Sequence, residues 1–138
     1  MKLESPGAED RLKAEMVLKR ILPEICTKVK FEVIEEECCQ DVFELAVNDG
    51  ILHVRGNNTN SMCAGFNWYL KHYVGCQFSW NGNNLNLPEE LPVLPAPVRK
   101  TSPFKWRHYY NYCTGAYTMA FKTWEEWEAD WTCWHCVC

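Results

Sequence analysis

A chain of 138 residues is long enough to bury one core, and its 47% apolar and 23% charged residues are ordinary for a folded globular protein. A net charge of −4 argues against nucleic acid as a partner, and no run of about 18 apolar residues is present to span a bilayer. The opening MKLESPGAEDR has no apolar stretch of the kind a secretory signal carries.

Residues 8–22 bring Leu12, Met16, Leu18, Ile21 and Leu22 near one helical face with charges opposite, and Pro23 ends or kinks that helix. Three alternating runs then read as strands, Val29–Ile34, Asp41–Val47 and Ile51–Val54, with Asn48-Asp49-Gly50 as a tight hairpin between the last two. Gly56-Asn57-Asn58 is a further turn, and Asn57-Asn58-Thr59 also matches the N-glycosylation acceptor, a triplet that arises often by chance. Asn60 or Ser61 is placed to cap a second helix over about Met62 to Tyr73, with Phe66, Tyr69 and Leu70 on one side and Gly75 at its C-terminus. Gln77–Trp80 reads as a strand, Asn81-Gly82-Asn83-Asn84 as a hairpin turn and Leu85–Leu87 as the returning strand. About five short strands and two helices predict an α+β fold, a small α/β-type domain over residues 1–88.

The composition then changes. PEELPVLPAPVRKTSP holds five of the seven prolines, and residues 89–103 read as an extended connector. Beyond it, Pro103 to Trp131 together with Trp134 carries five of the seven tryptophans, four tyrosines and two phenylalanines. Trp106–Cys113 reads as a strand and Trp124–Trp131 as the start of a helix; one strand and one helix cannot bury their own faces, so this second unit is incomplete by itself. Aromatic faces beside Asn, Thr and Arg suit ligands that are apolar on one side and hydroxylated at the edge, as sugars are. An aromatic core strand followed by an amphipathic helix has the same composition.

The acids in this region are Glu125, Glu126, Glu128 and Asp130. At helical spacing Trp124, Trp127 and Trp131 claim the inward stripe, which leaves the acids as a solvated face, and Glu35-Glu36-Glu37 is likewise an exposed charge run. The nine cysteines, at positions 26, 38, 39, 63, 76, 113, 133, 136 and 138, are odd in number and follow no framework spacing. Reduced thiols acting as small core residues are the simpler reading. In the tail, Cys133, His135, Cys136 and Cys138 are competent zinc ligands, yet four ligands within six residues cannot easily surround one tetrahedral ion. No metal site and no cofactor is expected.

The stretches VRGNNTNSMCAGFNWYLKHYVGCQFSW and FKWRHYYNYCTGAYTMAFKTWEEWEADW resemble the α-N-acetylglucosaminidases of glycoside hydrolase family 89. The resemblance spans roughly residues 15–131 and is densest at Trp106-Arg107, at Tyr110-Asn111-Tyr112-Cys113-Thr114 and at the Trp124…Trp127…Asp130-Trp131 spacing. It implies that residues 1–88 are the family's small N-terminal domain and that residues 104–131 open an incomplete fragment of its catalytic (β/α)8 barrel, a TIM barrel with its site at the C-terminal ends of the strands. Asn111 and Cys113 then match positions lining the pocket for a terminal N-acetylglucosamine, with Tyr117 close by as a third substrate-binding residue. The partner implied is an N-acetylglucosamine-terminated glycan, the chemistry is retaining hydrolysis without a metal, and the family is usually lysosomal or secreted. Both catalytic glutamates of the family lie downstream of the segment matched here, so no catalytic residue is assigned and the fragment alone is expected to be inactive. A stand-alone carbohydrate- or protein-binding module is the alternative.

Residues 132–138, Thr-Cys-Trp-His-Cys-Val-Cys, depart from the family, which continues with an apolar run containing Ala-Leu. Codons for Cys-Trp-His-Cys, read from the third base, encode Leu-Ala-Leu whichever synonyms are used. A frameshift or mis-joined exon near Thr132 is therefore expected, and sequencing the transcript through that codon tests it: the idea fails if no family-like sequence continues in the shifted frame.

Overall fold

The computed structural model describes residues 7–35, 40–79, 82–106 and 121–137, with side chains to Thr132. Helix α1 spans Ala8–Ile21, with Glu9 and Asp10 in its first turn and Lys19 and Arg20 in its last, each complementing the helix dipole. Its buried stripe differs from the one expected. Ala14 and Leu18 are buried and Leu22 continues their line, whereas Leu12 and Met16 are about half exposed. Positions 12 and 14 lie about 200° apart on a helix, so two four-spaced apolar stripes compete, and the one containing the small Ala14 meets the sheet and second helix. Pro23 opens a short 3-10 turn, Pro23–Ile25, that seats Ile25 in the core.

Strands β1 (Val29–Val33), β2 (Val42–Asn48) and β3 (Ile51–Gly56) follow as expected to within a residue or two. Asp49 (φ 51°) and Gly50 (φ 74°) both adopt left-handed backbone, the geometry of a two-residue hairpin whose twist matches its strands. β2 and β3 are antiparallel, while β1 runs parallel to β3 on its other side. This register places Phe31, Leu45, Leu52 and Val54 on one face, where α1 and α2 cover them. The opposite face carries an ion-pair ladder across the sheet. Lys30 and Glu32 of β1 meet His53 and Arg55 of β3, and Arg55 continues to Glu44 of β2. A sheet covered on one side and charged on the other needs the period-two alternation the sequence shows.

Helix α2 (Thr59–Tyr69) starts earlier than expected, because Asn58 is its cap and accepts from Ser61 N at 2.9 Å. It passes into a π-helical turn, Leu70–Val74, and stops at Gly75 with φ 73°. Phe66 meets Phe31 edge-on at 6.4 Å, joining helix to sheet. Gly56 permits the close passage from β3 into α2, since a Cβ there would lie 2.9 Å from Met62 N.

Two expectations need correction. The hairpin after β4 (Gln77–Ser79) pairs with β5 at Gly82–Asn84, not with Leu85–Leu87. Ser79 stands opposite Gly82, so the residues read as the turn are mostly strand, and Leu85 and Leu87 pack on the core instead. The proline-rich stretch is also more than an extended connector. Val98–Thr101, within its longest proline-free run, have the backbone donors a ladder needs and form β6, antiparallel to β2, giving the order β1-β3-β2-β6. Upstream, Leu91 and Leu94 are buried, and fully buried Tyr69 donates to Pro92 O at 2.7 Å. Burial also pushes the Tyr69 phenol up to about 12. The stretch is thus a strap clasped to the domain.

Among the described residues the fold is α+β: a mixed sheet, a small hairpin and three helices, the third being α3 (Trp124–Val137). The strand expected at Trp106–Cys113 falls, beyond Trp106, outside the described residues. Among those described, no helix is long and apolar enough to cross a membrane.

Candidate functional site

The three residues assigned to a sugar pocket, Asn111, Cys113 and Tyr117, lie outside the described residues. Their flanks are described and strongly aromatic. Trp106 and Phe121 are 82% and 89% exposed, Phe104 is exposed too, and Lys105 sits over the Trp106 ring at 5.9 Å.

A cleft of about 530 Å³ opens between α1, the start of α2 and α3. Its α3 wall is built by a local signal that was missed in the sequence. Thr123 and Glu126 form a reciprocal capping box, Thr123 N donating to Glu126 Oε2 at 2.7 Å and Glu126 N to Thr123 Oγ1 at 3.3 Å. Trp124 and Trp131 line the cleft while remaining 73% and 50% exposed, and Trp127 is half-buried. The tryptophan stripe expected to face inward is therefore not covered by this domain. The side of α3 that does meet α1 is polar, with Arg20 paired to Glu128 at 3.1 Å and Thr132 buried beside them.

The acids divide accordingly. Glu125 and Glu126 are exposed, as expected of a solvated face, but Glu128 pairs with Arg20 and Asp130 with Lys122. At the far end of the cleft, Asp10 of α1 accepts from the Thr59 amide at 3.2 Å and the Thr59 hydroxyl at 2.6 Å, which ties α1 to the start of α2. The polar groups of the cleft thus largely satisfy one another, and its exposed apolar surface is indole. This arrangement can seat a helix or stack an apolar face. Among the described residues it holds no nucleophile poised beside a base.

Beside it, the Asn57-Asn58-Thr59 triplet has a structural role. Asn57 Nδ2 donates to Gln40 O at 2.7 Å, and its Oδ1 accepts from Val42 N and from the Ser61 hydroxyl. Asn58 adds a bond to Asp41 at 2.6 Å. These contacts fasten the end of β3 to the entry of β2. The thiols described also behave as packing groups: Cys63 and Cys76 are buried, Cys76 donates to Asn86 O, and burial pushes its thiol up. Glu32 is held below the usual carboxylate range, first by its hydrogen bond from Lys30, the opposite of what a general acid needs. Among the described residues no cluster of His, Cys, Asp and Glu is arranged to hold a metal ion, and the tail side chains read as possible zinc ligands lie outside them.

A family model described as the alpha-N-acetylglucosaminidase (NAGLU) N-terminal domain matches residues 13–93. Alpha-N-acetylglucosaminidase from Homo sapiens is 35% identical over 79 residues, which are 57% of this chain and 11% of that protein. A family 89 glycoside hydrolase from Clostridium perfringens, solved in complex with 2-acetamido-1,2-dideoxynojirmycin, superimposes with a TM-score of 0.85 at 31% identity. The match covers 96% of this chain and 16% of that one. A variant of the Clostridium protein, solved with its substrate GlcNAc-alpha-1,4-galactose, matches to the same degree. The chain therefore spans only about a tenth to a sixth of the length of these relatives.

Proposed function

This chain belongs to the alpha-N-acetylglucosaminidase N-terminal domain family, and from that premise we propose that it is the N-terminal part of a family 89 glycoside hydrolase. The observation that carries the reading is the superposition of 96% of the chain on the Clostridium enzyme at 31% identity, since a likeness that complete reaches past the small domain into α3. The intact protein then hydrolyses terminal α-linked N-acetylglucosamine with retention. Residues 1–88 together with the strap of 89–103 form the small domain, and 104–131 open the barrel. Asn111, Cys113 and Tyr117 line the sugar pocket. Asn111 can both donate to and accept from a hydroxyl, and Cys113 offers a compact wall.

Retention requires two carboxyl groups roughly 5–5.5 Å apart, one of them with a raised pKa. Glu128, Asp130, Glu44 and Glu32 are each ion-paired, and the family's two catalytic glutamates lie downstream of the matched segment, so the 138 residues alone are expected to be inactive. Incubation with 4-nitrophenyl α-N-acetylglucosaminide tests this: no release of nitrophenol is expected, and turnover above buffer overturns the reading.

A second reading, a stand-alone binding module, is favoured by the exposed indoles of Trp106, Trp124 and Trp131. Saturable binding of free N-acetylglucosamine by the purified chain supports the module. Its absence leaves those rings as the face that the rest of a barrel covers.

A further inference from the structure

We propose that the hollow between the π-helical turn and β6 binds a tetrahedral oxyanion, phosphate or sulfate, free or carried as an ester. The hollow, about 470 Å³, is lined by Trp68, His72, Tyr73 and residues 97–100. Three observations converge on it.

The first is strand register. Lys100 stands opposite Phe43 and Arg99 opposite Glu44. Alternation sends the Lys100 side chain to the helix-covered face, where its ammonium lies 5.3 Å from the Trp68 ring centre. Arg99 goes to the other face and pairs with Glu44. The carboxylates Glu32 and Glu44 are thereby segregated to the ion-pair ladder, and among the described residues no Asp or Glu lines the hollow.

The second is the imidazole. His72 stacks on Trp68 at 4.0 Å with a 33° tilt, four residues on along the chain. Neither it nor Lys100 has a hydrogen-bond or ion-pair acceptor among the described residues. Two donors are thus gathered on one indole without an acceptor between them.

The third is the backbone. The wide turn over Leu70–Val74 departs from the α-helix where these side chains project, and such turns recur at ligand sites. A cation–π contact and a stacked imidazole are also ordinary packing devices, but packing alone does not require the hollow to be free of carboxylates. A neutral sugar fits less well: His72 stacks on the Trp68 indole, Lys100 lies over it and Phe43 is tilted against it at 6.1 Å, so little of the ring remains for a pyranose.

The test is a titration of the full chain with inorganic phosphate, inorganic sulfate and glucose 6-phosphate at constant ionic strength. The Trp68 indole N–H and the amides of residues 98–100 are followed by NMR. Saturable shifts with the inorganic ions alone assign a free-ion site, and saturation by glucose 6-phosphate as well assigns an ester site; both support the proposal. Lys100→Gln should weaken binding roughly threefold, the effect of one exposed charge, His72→Gln should weaken it through the lost imidazole donor, and the double variant should weaken it roughly tenfold, the two losses combined. Lys71→Gln, exposed but outside the hollow, should change nothing. Shifts that rise linearly to about 50 mM, far weaker than useful recognition, overturn the proposal. So do shifts that chloride reproduces or whose saturation midpoint is unchanged in the double variant.

Discussion

Replacing Tyr69 with phenylalanine isolates the bond that clasps the strap to the domain. The phenol is fully buried and donates to Pro92 O at 2.7 Å, between the buried side chains of Leu91 and Leu94. Removing the hydroxyl leaves ring packing intact and one carbonyl unpaired. A hydrogen bond contributes about 0.5–1.5 kcal/mol net, and a stranded buried acceptor costs about 1–3 kcal/mol. Pro92 is only half-buried, so water reaches part of that carbonyl and the expected loss is about 1–2 kcal/mol. Urea unfolding at pH 7 measures it, and faster hydrogen exchange at Val93 and Leu94 locates it. Alkaline pH provides an independent signature. Burial raises the folded-state phenol from 10.0 to about 12. The folded state therefore holds its proton more tightly; this stabilisation is fully present below pH 10 and is lost as pH rises toward 12. Tyr69→Phe removes that titration, so the gap between wild type and variant should narrow across this window. A loss below about 0.5 kcal/mol, the level of an ordinary surface change, with unaltered exchange in the strap, refutes the clasp.

Gly56→Ala places a methyl 2.8 Å from Met62 Cγ and 2.9 Å from Met62 N, and because backbone cannot yield cheaply a loss of about 1–3 kcal/mol is expected in thermal or urea unfolding. Glu32→Gln should cost under about 1 kcal/mol at pH 7, since its partners are exposed. The Glu32 carboxyl is held below its ordinary 4.5 on folding, chiefly by the hydrogen bond from Lys30, so the contribution is present above that value and lost as pH falls below it. Wild-type and variant stabilities should converge in acid, and a gap that stays constant from pH 7 to pH 3 counts against the ladder. Arg20→Ala should change global stability by less than about 1 kcal/mol yet speed hydrogen exchange along the first two turns of α3; unchanged exchange there means that the Glu128 pair does not hold the helix.

Local chemistry was readable wherever a few adjacent residues settle the backbone. Asn48-Asp49-Gly50 announced a hairpin because two successive left-handed residues favour Asp and Gly, and Gly75 announced the end of a helix for the same reason. The capping box at Thr123 and Glu126 was equally local and was overlooked. In α1, Leu12 and Met16 were indistinguishable by periodicity from residues that turned out buried, because two stripes satisfy the same spacing and only contact with the sheet selects one. The Arg20–Glu128 pair joins residues more than a hundred positions apart and leaves no signal in either neighbourhood.

From its residues alone the chain declared its family, its alternating strands, its principal turns and the aromatic segment that follows the strap. Those depend on side-chain period and backbone sterics, which act over a few residues. The parallel pairing of β1 with β3, the recruitment of Val98–Thr101 as β6, and the face that Trp124 and Trp131 leave uncovered were decided only by tertiary structure. Each depends on which apolar surfaces can be buried together across the whole chain, a condition that no short stretch of sequence contains.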